Sequence, residues 1–493
     1  MKNTIELSKL SPLQIIIVFF VLQLVVTLLS NGFVLSFDES VWHYIGRNWF
    51  RNGLVPYSGG ADNKSPFIFV IYGLSDQLFG VNYWFVRITG TLCQSIGIYY
   101  VYKITKTLSS HEIGLVAISF YGLSLLWHST GGVYVAFTET FEVMFLVIAL
   151  YQFLTACLIK ELIISGLVGG IAIDFRLTAA FGILSMFVVL IRRKQLNECF
   201  YLLLGTLSGL FILLGFCLLA GIDLSQLGTN ALTDNFGKGG VTSHSLKYET
   251  ENLLDKFIFS PMFLFYPLTL VYVLVMKQLD IFVLWCISTF VAISIIGLFD
   301  VVHLKDILPS LSIMNAIAVA KLIERYKHRV SFNFILVSVW VIFFPMLKEP
   351  FYNLQLLLGH DDKKIAYNVK PYVNPSESDR KLLGEWVKKN TKSTDFVFVH
   401  GYGTQIQAYS ERISPTIYFF SVIQTPQAKA RLRNDLALNK PEMILIPMFP
   451  QYVSLVSSDT RKFVNEMLIR DYYLERSLYN YKIYRRVHHY KHH

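Results

Sequence analysis

Charge is what this chain has least of: Asp, Glu, Lys and Arg supply 16% of its 493 residues, against about 25% in an average soluble protein. With 53% hydrophobic residues, that deficit excludes an ordinary water-soluble domain. Cysteine is scarce as well. Cys93, Cys157, Cys199, Cys217 and Cys286 lie in or beside apolar runs and form no CxxC, so neither a disulfide framework nor a paired-thiol motif is present. There is no GxxxxGK[ST] and no dinucleotide fingerprint following a strand, which leaves no evident soluble nucleotide site. No group of His, Cys, Asp or Glu has convincing metal-ligand spacing. The first apolar run lacks a small-residue cleavage site before Phe37 and reads as a retained span rather than a removed signal. The formal charge of +10 does not point to nucleic acid, because the lysines and arginines cluster at the ends of apolar runs, where they set membrane orientation.

What is present is a series of apolar runs of about 17 to 25 residues, the length that crosses a bilayer. Lys2 and Lys9 before the first run, 13–29, place the N-terminus in the cytoplasm. The run 67–79 is too short to cross comfortably. Further spans fall at about 83–102, 113–127 and 140–160. The run 162–191 is interrupted by Asp174-Phe175-Arg176, and a hairpin of two short spans returns Arg192, Arg193 and Lys194 to the cytoplasm. Spans at about 200–220, 261–276, 281–298, up to 320, and 332–346 complete the series. The expectation is a polytopic α-helical membrane protein of about eleven spans, N-terminus in and C-terminus out. Residues 1–347 form the transmembrane domain and 348–493 an extracytoplasmic α/β domain. In the latter, helices are expected at 376–390, 425–438 and 459–471. Buried strands are expected in DFVFVHGYG and PEMILIPM, and the sheet is expected to be largely parallel.

The most polar passage of the N-terminal half is 37–66, FDESVWHYIGRNWFRNGLVPYSGGADNKSP. It opens with the carboxylate pair Asp38-Glu39 and ends with Lys64 before Pro66. Between them Val41, Trp42, Ile45, Trp49 and Phe50 line one side of an amphipathic helix suited to a membrane interface, the other reading being an ordinary loop. This topology puts 38–64, the segment around Glu139, 174–176 and 300–306 on the outer face. Acids and bases meeting there suit the handling of an anionic group beside a nucleophile. Lys64, Arg176, His303 and Lys305 are suited to a phosphate, and Asp38 or Glu139 to a proton. An Asp and an Arg at membrane depth, as at 174–176, either pair with each other or face a polar cavity. Glu142 reads as a partner for a basic residue, Arg87 as a snorkelling anchor, and His43, His128 and His400 as ordinary histidines.

These outer segments resemble those of the GT-C glycosyltransferases of the protein mannosyltransferase and aminoarabinose-transferase type. The resemblance rests on Asp38-Glu39 with SVWHYIGRNWF, on Lys64-Ser65-Pro66, and on LFGVNYWFVRITG with Gly80 and Arg87. It continues through AFTETFEVMF with Glu139, GGIAIDFRLTAA and FDVVHLKDILPSLSIMNAIA, and into FVFVHGYGTQIQAYSERISP and NKPEMILIP. It departs from the family pattern in having Lys64-Ser65-Pro66 for Lys-Pro and in HLKD in the late loop.

The resemblance implies an enzyme of the plasma membrane that moves a sugar from a polyprenyl-phosphate donor to an acceptor on the outer face. The acceptor class is a cell-envelope glycan, lipid or protein, and the configuration inverts. It implies that Asp38 is the catalytic base, Glu39 its support or substitute, and Glu139 a further acidic site. Lys64 would hold the donor phosphate, with Arg176, His303 and Lys305 as further candidates. Some enzymes of this type use a divalent cation, which the resemblance leaves open. Two other classes stand beside it: a lipid or polysaccharide transporter, against which the absence of an inverted hydropathy repeat counts, and a non-catalytic relative serving assembly.

Overall fold

The computed structural model describes residues 11–28, 34–127, 133–229, 250–251, 253–254, 261–276, 280–296, 301–325, 332–344, 377–420, 425–448 and 456–488. Contacts divide the chain into two units, one of residues 1–30, 86–216 and 242–360, the other of 31–85, 217–241 and 361–493. This division differs from the boundary expected at 347/348, because the first polar passage clusters with the C-terminal part of the chain.

The first unit is helical. Its elements are α1 (Pro12–Leu28), most of α4 (Trp84–Leu108), α5 (His111–Leu125), α6 (Thr138–Thr155), α7 (Ile159–Phe175), α8 (Ala179–Arg192), α9 (Leu196–Leu219), α10 (Tyr266–Met276), α11 (Ile281–Ile296), α12 (Leu308–Arg325) and α13 (Phe332–Ile342). Each lies on one of the expected apolar runs. At the centre α5 packs on α12; residues 113–125 of the first and 308–320 of the second are buried all round, as expected of helices with no polar face. Phe19 of α1 stacks on Trp340 of α13 at 5.3 Å, and Gly122 of α5 leaves room for the Phe19 ring.

Outward faces remain apolar. Phe200, Leu204, Leu207 and Phe211 of α9 are exposed, as are Phe334, Val337 and Val341 of α13 and Leu13, Ile17 and Val21 of α1. This helical spacing of exposed apolar side chains suits a lipid environment. Among the described residues, α6 and α9 are long and apolar enough to cross a membrane, and several other helices, α5, α8 and α11 among them, are apolar but shorter.

The break at 174–176 is present. Arg176 leaves helical geometry at φ −161°, ψ 131°, and α8 folds back so that Ile183 meets Gly169 of α7. On the other side of α7, Gly166 and Gly170 face Gly205 and Gly209 of α9. A Cβ on Gly205 would run into Ile163 O, and one on Gly170 into Thr206 O. Small residues allow this backbone approach.

The second unit contains α2 (Phe37–Asn52), α3 (Pro66–Phe79), α14 (Glu377–Asn390), β1 (Val397–Val399), α15 (Thr404–Ser410), α16 (Pro426–Leu438), β2 (Met443–Pro447), α17 (Ser458–Asp471), β3 (Tyr472–Leu478) and β4 (Tyr481–Arg486). The strand order is β1-β2-β4-β3. Only β1 and β2 are parallel; β4 runs antiparallel to both β2 and β3. The expected largely parallel sheet is thus corrected to a mixed one. The cause is local: Tyr479 and Asn480 have φ of 48° and 61°, the double left-handed turn that closes a two-residue hairpin. Alternation along the strands covers both faces. Val397, Val399, Met443 and Leu445 pack on Leu383, Val387 and Ile406, whereas Phe398 and Ile444 pack on Leu432, Leu436, Val464 and Leu468.

The interfacial helix expected within 37–66 is a helix, but protein covers it. Residues 39–48 of α2 are buried. Gly46 meets Gly73 of α3, and α15 packs on α2 as well.

Candidate functional site

The sequence-derived candidates fall into two groups, one in each unit. In the second unit, Ser36 starts α2 with a capping box. The Ser36 N–H donates to Glu39 Oε2 at 2.7 Å, and the Glu39 N–H to Ser36 Oγ at 3.4 Å. Glu39 is fully buried, so an oxygen of its carboxylate is committed to starting the helix. Asp38, one residue earlier, is partly exposed.

Lys64 ends a loop that is tied down along its length. Asn48 Nδ2 donates to Gly59 O at 2.9 Å, Trp42 Nε1 to Asp62 Oδ2 at 2.8 Å, and the Ala61 N–H to Ile417 O at 2.9 Å. The Tyr57 hydroxyl donates to Lys64 O. Pro66 then opens α3 at its first position, where a missing N–H costs nothing. Among the described residues, no carboxylate lies within ion-pairing distance of the Lys64 ammonium, and it makes no hydrogen bond. Lys64 is partly exposed.

Behind this segment, α2 and α3 are latched by charge. Arg51 Nε pairs with Asp76 Oδ1 at 2.5 Å, and His43 Nδ1 lies 3.2 Å from Asp76 Oδ2. The Asn82 N–H lies 3.4 Å from His43 Nε2. Burial lowers the His43 pKa to about 3, so the ring is neutral. His43 is therefore part of this latch rather than an interfacial residue. Arg87, in turn, is fully buried and donates to Thr27 O at 2.9 Å; it does not snorkel.

In the first unit, three segments far apart in sequence meet at one guanidinium. Arg176, at the end of α7, places Nη1 3.0 Å from Asp306 Oδ2, 3.3 Å from Glu139 Oε1 and 3.7 Å from Glu142 Oε2. Its Nη2 lies 2.7 Å from His303 Nδ1, which is also 3.0 Å from Glu139 Oε1. One imidazole nitrogen cannot accept from Arg176 and donate to Glu139 at once, so these groups share a single proton position. The Thr178 hydroxyl lies 3.0 Å from Glu142 Oε1 and 3.3 Å from Asp306 Oδ2.

Lys305 is buried and donates to Tyr134 O at 2.6 Å and to Thr140 Oγ1 at 3.0 Å. Burial lowers its pKa to about 7 against the pull of Glu139 and Asp306. Burial also raises Asp306, with the Arg176 charge opposing it.

The structure therefore brings Glu139, Arg176, His303 and Lys305 together, as the sequence suggested, but with the cations already engaged. Asp174 does not pair with Arg176. Its side chain is buried, and Oδ2 has no hydrogen-bond partner among the described residues. Asp306 and Thr178 were not singled out in the sequence. Asp306 directly follows Lys305 in HLKD, and that adjacency was the available signal. Glu142 takes the expected place beside a basic residue. His128 lies outside the described residues. Among those residues no group of three or more His, Cys, Asp or Glu fits a metal ion. The gathered carboxylates surround Arg176 instead.

Residues 63–219 match the family model described as dolichyl-phosphate-mannose-protein mannosyltransferase, a segment that includes Lys64, Glu139, Glu142 and Arg176. No curated protein sequence matches the chain. Among solved structures, ArnT from Cupriavidus metallidurans bound to undecaprenyl phosphate is similar with a TM-score of 0.63 and 15% identity, over 96% of this chain and 98% of that one. The AglB oligosaccharyltransferase of Archaeoglobus fulgidus, in complex with an inhibitory peptide and a dolichol-phosphate, is similar with a TM-score of 0.51 and 12% identity, over 89% of this chain and 69% of that one. An Archaeoglobus fulgidus oligosaccharyltransferase in complex with Zn and sulfate gives 0.52 and 12% over 88% and 68%.

Proposed function

We propose that this chain is a GT-C glycosyltransferase, a reading its family match and fold support, and that it moves a sugar from a polyprenyl-phosphate donor to an acceptor on the outer face of the plasma membrane. The observation that carries the reading is Lys64. It is an ammonium without a partner among the described residues, on a hydrogen-bonded loop in the same unit as Asp38. A leaving phosphate needs such a cation, and a solved structure of the same fold is bound to undecaprenyl phosphate.

In this reading the lipid tail lies among about eleven spans, whose apolar outward faces meet the bilayer. The acceptor hydroxyl attacks the anomeric carbon through an oxocarbenium-like transition state. Asp38 takes its proton as the new C–O bond forms. The bond from the anomeric carbon to the phosphate oxygen breaks, the phosphate leaves with the electron pair, and Lys64 stabilises its charge. A single displacement of this kind inverts the configuration. With a phosphate acceptor, already ionised, Asp38 would orient rather than deprotonate.

Glu39 serves the helix cap. Arg176 and Lys305 could reach a phosphate only on release from Glu139, Glu142, Asp306 and Tyr134 O. As placed, Arg176 and His303 hold Glu139, and Lys305 holds Tyr134 O and Thr140. A divalent cation has no fitting cluster among the described residues, and no step of the mechanism passes through one.

The test is binding of undecaprenyl phosphate to purified protein in nanodiscs. Lys64→Ala is expected to weaken binding by roughly tenfold or more, the scale of one charge-assisted phosphate contact, and Lys64→Arg to restore most of it. Equal binding by Lys64→Ala and wild type would remove Lys64 from the phosphate site.

A further inference from the structure

The peptide that carries Asp38 is gripped from the C-terminal part of the chain, inside one unit. Tyr402 stacks on Phe37 with ring centroids 4.2 Å apart and planes 17° from parallel. Tyr402 is itself fixed. Its carbonyl accepts from the Tyr481 hydroxyl at 2.7 Å, and the Arg380 guanidinium lies 5.2 Å from its ring centroid. The Thr404 hydroxyl donates to Phe37 O at 3.0 Å. Upstream, the Leu35 N–H donates to the Tyr409 hydroxyl at 3.0 Å.

Phe37 O belongs to the planar peptide that ends at the Asp38 Cα, so the Thr404 bond restrains the plane from which the carboxylate hangs. The capping box already starts α2 through Ser36 and Glu39; the helix does not need Thr404 in order to form. A contact that adds nothing to helix initiation but fixes the orientation of its first turn is suited to aiming a side chain.

We propose that Thr404 and Tyr402 are positioning residues for Asp38, through which the C-terminal α/β fold takes part in catalysis without touching substrate. This rests on the reading of Asp38 as the base. It gives the domain a role in the chemistry: β1, the glycine turn Gly401-Tyr402-Gly403 and α15 form a bracket for the reacting carboxylate. Because misplacement by about 1 Å can cost about 100-fold in rate, loss of one restraint is expected to act on turnover more than on donor affinity.

The experiment uses the full chain in liposomes, comparing wild type, Thr404→Val, Thr404→Ser and Asp38→Asn. Hydrogen–deuterium exchange is read over residues 35–41, and transfer is read from radiolabelled undecaprenyl-phosphate-linked sugars. Thr404→Val is expected to exchange faster over 35–41 with an unchanged melting temperature. Its kcat should fall about tenfold while KM for the donor stays within about twofold, and Thr404→Ser should recover both readouts. Wild-type exchange and kcat in Thr404→Val would overturn the proposal. So would failure of Thr404→Ser to rescue, or a kcat loss that tracks a falling melting temperature. An inactive Asp38→Asn beside a fully active Thr404→Val would defeat the positioning role alone. A fully active Asp38→Asn, or wild type that transfers no sugar, would defeat the base and the bracket together.

Discussion

Asp38 and Glu39 are adjacent acids with different surroundings, and the surroundings separate their roles. Glu39 is buried and accepts from the Ser36 N–H, whereas Asp38 is partly exposed on the first turn of α2. A cap needs an acceptor oxygen but no charge, since Gln serves at this position as well as Glu. Glu39→Gln should therefore keep its melting temperature and turn over within about twofold of wild type. Glu39→Ala should lose about 0.5–2 kcal/mol of stability, measured by denaturant titration of the detergent-solubilised protein. A large loss of turnover in Glu39→Gln would return Glu39 to the chemistry. The sequence showed the acidic pair and could not divide it, because capping depends on where the helix starts. The same limit applied at 174–176, where adjacency in sequence suggested an Asp174–Arg176 pair. Arg176 instead meets Glu139, Glu142 and Asp306 from two other segments.

At the scale of elements, the apolar runs located the helices well, because a span must be long and unbroken to satisfy its backbone in lipid. The interruption at 174–176 also marked a real turn between α7 and α8. What the runs could not reveal is how closely two helices approach. Gly166 and Gly170 meet Gly205 and Gly209 with backbones nearly touching. Gly205→Val, whose Cβ would meet Ile163 O and lie 2.9 Å from Leu167 N, should lower the melting temperature in detergent by an amount equivalent to at least about 1–3 kcal/mol. Gly215→Val, with nothing within 4 Å of the added Cβ, should melt as wild type does. Equal effects at both positions would show that the α7–α9 contact does not govern packing. In the C-terminal part the helices and buried strands were legible from period and capping residues. The parallel reading failed at β3 and β4, where a turn at Tyr479-Asn480 joins neighbours directly and no crossover helix intervenes.

On the scale of the whole molecule, the order of the polar segments carried the resemblance, and the fold is similar over nearly the full length of ArnT. The grouping of residues 31–85 with 361–493 could not be read from composition. It depends on contacts between α2 and α15, far apart in the chain, such as Arg47 Nη1 donating to Ala408 O at 2.6 Å.

The most direct measurement is transfer of label from a panel of undecaprenyl-phosphate-linked sugars into membrane extracts, with wild type beside Asp38→Asn. The account predicts label in a glycan, lipid or protein product with wild type, and a loss of at least about 100-fold, the scale of general-base catalysis, with Asp38→Asn. Folded wild-type protein that transfers no sugar from any donor would contradict it and favour a transporter or an assembly role.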